Sequence, residues 1–228
     1  MEPDVDDILI LFQTVIQWIA IVLSASTGVY DARRNGLDFF GALVIGAIVA
    51  VGGGTIRDLL LGRYPLFWLQ DPIYLTGIFI VGVIGIILIP KSGEEPTEKT
   101  RSSGIIQSIT RLMFGTSGSF ALIDSFAIGM WAYLGTLYAI TSGIPLIISP
   151  IMGIITASFG GVLRDILFAK IPEIFRPSQF YAIASCAGGG AYAIAWYFSL
   201  PYPTGFIACM VVTILVRMTS VRYNITSF

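Results

Sequence analysis

The chain has 228 residues, a formal net charge of −1, 55% hydrophobic and 12% charged residues, and a mean hydropathy of +0.83. A soluble domain of this size needs far more charge to cover its surface, so the long apolar runs point to a bilayer. The near-neutral balance excludes a nucleic-acid surface. The lack of any histidine removes Ser-His-Asp and Cys-His catalysis and histidine metal sites, and with neither a P-loop nor a dinucleotide fingerprint in the sequence no enzyme and no metal site is expected.

Residues 1–7 carry Glu2, Asp4, Asp6 and Asp7 and no Lys or Arg. A cleaved signal peptide has a basic start, so the first apolar run is expected to stay as a helix. Seven spans are predicted, over 8–30, 38–62, 72–90, 118–141, 144–169, 178–199 and 204–220. Most have the ~20 apolar residues needed to cross the hydrocarbon. The second and fifth are longer and interrupted by glycines. Asp71, just before Pro72, reads as a helix start. The polar connector from Lys91 to Thr116, with Glu94, Glu95, Glu98, Lys99 and Arg101, reads as a solvated linker. Cys186 and Cys209 both lie in apolar runs and read as small core residues.

Sliding the sequence over itself by 107 residues aligns the first half with the second. Between Ala20 and Ile87, 18 of 68 positions are identical. Gly28, Gly36 and Gly46 meet Gly135, Gly143 and Gly153. Gly53, Gly54, Arg57, Asp58, Leu60, Pro65 and Tyr74 meet Gly160, Gly161, Arg164, Asp165, Leu167, Pro172 and Tyr181. Shared apolar composition does not match an Arg-Asp pair, a proline and a tyrosine at the same spacings. Residues 1–90 then form one three-helix repeat, 91–116 a linker, 117–200 a second repeat, and 201–228 a seventh helix with its tail. Three spans per half is an odd number, so the second repeat is expected upside down relative to the first, as in many transporters. The predicted fold class is an all-α membrane protein with seven transmembrane helices in two inverted repeats plus a C-terminal helix. With the acidic N-terminus outside, eleven of the thirteen Lys and Arg residues fall on the inner side, and only Arg57 and Arg63 on the outer. That bias predicts an outside N-terminus and a cytoplasmic C-terminus.

The repeated motif is G-G-x-x-R-D, extended by Gly52 in the first copy. Two or three glycines in a row each weaken a helix by about 1 kcal/mol, which predicts a break or bend. The freed backbone carbonyls could then replace part of a cation's hydration shell. The alternative for glycines is close helix packing, which suits singles such as Gly28 and Gly46. Arg57 and Arg164 near membrane depth should face the bundle interior, a cavity or an interface. The neighbouring Asp58 and Asp165 point about 100° away on a helix, so a partner on another helix is expected. The competing reading is an arginine anchored at the headgroups beside a capping aspartate. Asp124 is a candidate for attracting cations or, as a lone acid near a helix start, for capping.

Gly52-Gly53-Gly54-x-x-Arg57-Asp58 in the second span and Gly160-Gly161-x-x-Arg164-Asp165 in the fifth, on a three-plus-three-plus-one plan, resemble the trimeric intracellular cation (TRIC) channels and their prokaryotic relatives. The resemblance spans about residues 10 to 220. It implies a homotrimer in membrane lipid, each subunit with its own pore for monovalent cations, chiefly potassium beside sodium, with no cofactor and with room for a pore-bound lipid. It assigns the hinge to Gly52, Gly53, Gly54, Gly160 and Gly161, and gating or lipid contact to Arg57, Asp58, Arg164 and Asp165. Many bacterial members of the same broad family are labelled transporters of glycine or small solutes, so a secondary transporter is the alternative function. The cell membrane of a prokaryote is the simpler location.

Overall fold

The computed structural model describes residues 5–88, 117–176 and 180–226; the linker expected over 91–116 and the first four residues lie outside these. The helices, in chain order, are α1 (Val5–Arg34), α2 (Phe39–Leu60), α3 (Pro72–Leu88), α4 (Ser117–Thr141), α5 (Ser149–Leu167), α6 (Ala182–Tyr197) and α7 (Tyr202–Arg222). A 3-10 turn spans Glu173–Phe175. The chain is an all-α, multi-pass membrane protein. Among the described residues, five helices, α1, α2, α4, α5 and α7, are long and apolar enough to cross a bilayer. The 16-residue α6 reaches only about 24 Å at 1.5 Å per residue, short of a ~30 Å hydrocarbon core, and α3 is little longer. Seven full-length spans were expected, and two are short.

Helix ends follow local chemistry. Asp38 caps α2 by accepting from the Gly41 N–H at 2.8 Å. Asp71 does the same for the start of α3, accepting from the Ile73 N–H at 2.9 Å, as the sequence suggested. Gly36 and Gly143, equivalent in the two repeats, follow α1 and α4 with φ of +79° and +83°, the left-handed conformation that stops a helix.

Both repeats pack alike. α1 lies on α2, and α4 on α5; α2 and α5 in turn lie on each other, with α3 and α6 outside. α7 has no counterpart in the first repeat and covers α4 and α6. The core is built around Trp131, Tyr133, Leu134, Leu137 and Tyr192 with Ile16, Ala20, Ile21 and Phe67. Large apolar side chains cover the outside, among them Phe40, Phe79, Ile87 and Ile147, which suits a surface solvated by lipid rather than water.

Small residues spaced along one face of α1 (Ala25, Gly28, Ala32) and of α4 (Ala132, Gly135, Ala139), a pattern that suits contact between subunits as well as within one, are buried, the four alanines each 0% exposed. A side chain on Gly28 would press on Gly46 and Val49, and one on Gly135 on Met152 and Thr156. These stripes therefore join helices within the subunit and are not free for contact between subunits. Cys209 is buried as expected, but Cys186 is exposed. An apolar run in a membrane protein includes a lipid-facing side, and Cys186 falls there.

Candidate functional site

The repeated glycines mark where α2 crosses α5. A Cβ on Gly53 would overlap the Thr156 carbonyl oxygen, and one on Gly160 would overlap the Val49 carbonyl oxygen. These contacts are reciprocal: 53 and 160 are repeat equivalents, as are 49 and 156. Residue i touching j′ while i′ touches j is the signature of a two-fold relation. A second contact has the same property, since the Trp131 indole N–H donates to Ser24 Oγ at 2.9 Å and these residues are also 107 apart.

The expected break is absent. α2 is continuous from Phe39 to Leu60 and α5 from Ser149 to Leu167, through Gly52, Gly53, Gly54, Gly160 and Gly161. Close packing of the two helices offsets the propensity lost, because only glycine lets the backbones approach so nearly. Gly161 is the exception: a Cβ there would meet nothing nearer than Arg164 Nη2 at 3.8 Å.

Both motif arginines take the neighbouring aspartate, which was not expected; the expected partner on another helix is found for Arg164, in Asp31 of α1, as well. Arg57 Nε donates to Asp58 Oδ1 at 2.8 Å, and Arg164 Nε to Asp165 Oδ1 at 2.9 Å. The long, flexible arginine reaches around the helix to a carboxylate 100° away. The second oxygen of each aspartate holds the loop that follows: Asp58 Oδ2 accepts from the Phe67 N–H at 3.0 Å, and Asp165 Oδ2 from the Glu173 N–H at 2.9 Å. Each aspartate thus ties an arginine to a loop, and neither caps its own helix.

Beyond this shared clamp the two arginines differ. Arg164 also bonds Asp31 of α1 through Nη1. Arg57 is fully buried against the rings of Phe67 and Tyr138, 5.3 and 4.5 Å from their centroids. Its Nη1 has no hydrogen-bond partner, and its Nη2, though 2.8 Å from Asp58 Oδ1, is not aligned for a bond. Tyr138 is the repeat equivalent of Asp31, so an aromatic ring stands where the other half has a carboxylate. Arg63 lies over the same Tyr138 ring at 4.1 Å.

The clusters lie at opposite ends of α1, one beside Asp31 and Asn35, the other beside Gln13, Thr14 and Gln17. At the Asp31 end opens a cavity of about 620 Å³ whose lining includes Asp31, Asp124, Asp165 and Glu173 with Arg34, Arg164, Lys170 and Arg217. At the Gln17 end is a cavity of about 150 Å³ lined by Gln13, Thr14, Gln17, Arg63, Phe67, Gln70, Tyr74 and Tyr138 among others. Trp131 and Phe67, edge to face at 6.3 Å, stand between them. Asp124 is no lone cap: Arg217 of α7 donates to it at 3.3 Å and also lies 5.1 Å over the Tyr181 ring. Phe67, Tyr138, Trp131, Ser24 and Arg217 carry no motif and were missed in the sequence. The 107-residue offset was the available signal, since it pairs Tyr138 with Asp31 and Trp131 with Ser24.

A family model described as "Glycine transporter" matches residues 14–90 and again 121–197. The two matches are displaced by 107 residues, the register of the repeat. The UPF0126 inner membrane protein YadS of Escherichia coli K12 is 32% identical over 215 residues, covering 92% of this chain and 94% of that protein. A UPF0126 membrane protein of Deinococcus radiodurans is 33% identical over 174 residues, covering 76% of this chain and 71% of that protein. Among solved structures, the TRIC trimeric intracellular cation channel orthologue from Rhodobacter sphaeroides superposes with a TM-score of 0.76 at 27% identity, covering 94% of this chain and 99% of that one. A second structure, described by conductance through TRIC cation channels, gives 0.75 at 27% identity, covering 94% and 95%.

Proposed function

The chain belongs to the family described as glycine transporter and has the TRIC cation-channel fold, and from that premise we propose that it conducts monovalent cations, chiefly potassium, through a pore in each subunit. Its role is non-enzymatic, as in the channels whose fold it shares. The observation that carries the reading is the wide cavity, which balances four carboxylates against four basic groups beside the α2–α5 crossing. A bare arginine in such a path would repel a cation by ~4 kcal/mol at 4 Å and an effective dielectric of 20. Asp31 and Asp165 offset Arg164, and Asp58 offsets Arg57.

The path follows the crossing of α2 and α5. Gly52, Gly53, Gly54, Gly160 and Gly161 let the two helices shift against each other; Arg57 and Arg164, held by Asp58 and Asp165, serve as gating charges, and Asp124 attracts cations at the wide mouth. Residues 1–90 and 117–200 are inverted repeats about an axis in the membrane plane, joined by the 91–116 linker, with 201–228 outside the repeat. Support for inversion comes from the equivalent arginines at opposite ends of α1. The basic bias supports an outside N-terminus and cytoplasmic C-terminus in a cell membrane, with the wide mouth inward. Three subunits assemble in lipid, and potassium or sodium needs no cofactor to pass. The wide cavity, of about 620 Å³, would hold the headgroup of a lipid rather than the whole molecule.

A second reading, secondary transport of a small zwitterion such as glycine, is favoured by the family description and by a cavity wide at one end only. Proteoliposomes separate the two. Expected is potassium efflux down its gradient with no solute added. Saturable glycine uptake without potassium leak would assign the second reading instead.

A further inference from the structure

The two cavities are related to each other by the repeat. Thr14, Gln17, Arg63, Phe67, Tyr74 and Tyr138 line the narrow one. Their equivalents Ala121, Asp124, Lys170, Ile174, Tyr181 and Asp31 all line the wide one. The same six positions therefore form both mouths, and the volumes, about 150 and 620 Å³, differ fourfold. The difference lies in what occupies those positions. The two acids among these six positions of the wide mouth, Asp31 and Asp124, become the neutral Tyr138 and Gln17. Ile174 becomes Phe67, whose edge meets Tyr74 at 5.8 Å and Trp131 at 6.3 Å.

The aromatic ring also has a seat. A Cβ on Gly54 would strike the Phe67 ring at 2.5 Å, so that ring lies directly on the glycine. The equivalent Gly161 is bare. Asp58 fixes the ring's position, since one oxygen holds the Phe67 N–H and the other holds Arg57.

We propose that Phe67 and Tyr138 close on Arg57 as an aromatic clasp that seals the Gln17 mouth, and that opening this mouth requires the clasp to release the guanidinium. The wide mouth lacks a clasp because Ile174 and Asp31 stand in its place, and Asp31 draws Arg164 to one wall. The inference rests on a path running between the mouths, but not on what passes through it.

The test exchanges residues between mouths in the full chain, with Cys186→Ser removing the exposed native thiol and Thr27→Cys as reporter. Thr27 is buried and lines the wide cavity. An impermeant methanethiosulfonate is applied separately to right-side-out and inside-out vesicles. The parent is expected to label from one face only, the wide-mouth face, which the orientation makes cytoplasmic. Giving the narrow mouth its counterpart's residues, Phe67→Ile with Tyr138→Asp, is expected to raise labelling from the other face about tenfold or more, as loss of the two cation–π contacts of Arg57 implies. Gly54→Ala, which unseats the ring, should act in the same direction. Tyr138→Phe keeps the ring and should label as the parent does.

Variants that elute as the parent does, yet leave labelling from the narrow face unchanged, would overturn the clasp. So would an equal rise with Tyr138→Phe. Labelling does not depend on the permeant. A shift in labelling without potassium flux would therefore sustain the clasp and remove the channel reading, and flux unaffected by the exchanges would do the reverse.

Discussion

Gly53, Gly160 and Gly161 share one motif but not one environment. A methyl group on Gly53 or Gly160 would run into the opposing backbone, whereas one on Gly161 has open space. Gly53→Ala and Gly160→Ala are therefore expected to cost about 1–3 kcal/mol, as overpacked sites do. Gly161→Ala is expected to be neutral, or to gain up to ~1 kcal/mol from helix propensity. Thermal unfolding in detergent checks both. Equal losses at all three positions would mean that crossing contacts do not set their cost. Since packing does not explain Gly161, it is also the motif glycine where a reduced open probability without lost stability would mark a hinge.

At the scale of elements, the loops after α2 and α5 hang from the paired aspartates. Asp58 is 1% exposed and is the acid that pairs with buried Arg57. Asp58→Asn should then cost ~3–5 kcal/mol, the loss typical when one partner of a buried ion pair is removed. Asp165→Asn should cost distinctly less, because Arg164 keeps Asp31 and is partly exposed. Melting temperatures of the two variants test this, and equal drops would contradict it. The helices themselves were legible in the sequence. Hydropathy located all seven to within a few residues at most ends, and Asp71 and the Gly36–Gly143 pair marked boundaries through turn and cap chemistry. The start of α5 fell later than expected, at Ser149, because Pro145 and Pro150 hold the preceding residues in a turn. The glycine break was misread for a reason propensity cannot reveal. Whether a helix bends at glycine depends on what presses against it, and here the other repeat does.

Across the whole molecule, the internal repeat was the strongest signal. Its glycine motif falls where α2 crosses α5, and the family match displaced by 107 residues carries the same register. Legible too were Arg57 and Arg164 as charges turned to the interior. What stayed hidden was the asymmetry between mouths. It resides in Tyr138 and Phe67, ordinary aromatic residues in an apolar run until folding sets them against Arg57. α7, outside the repeat, adds to it by bringing Arg217 to Asp124, where the first repeat has only Gln17 at the equivalent position. The Arg57–Tyr138 and Asp124–Arg217 pairings join residues 81 and 93 positions apart, beyond the reach of any local pattern. Conduction through a subunit built this way is tested most directly by recording the purified protein in a planar bilayer under a potassium chloride gradient. Expected are unitary currents that reverse near the potassium equilibrium potential with no other solute present. A silent bilayer, from protein that is assembled and takes up glycine saturably in parallel vesicles, would contradict it.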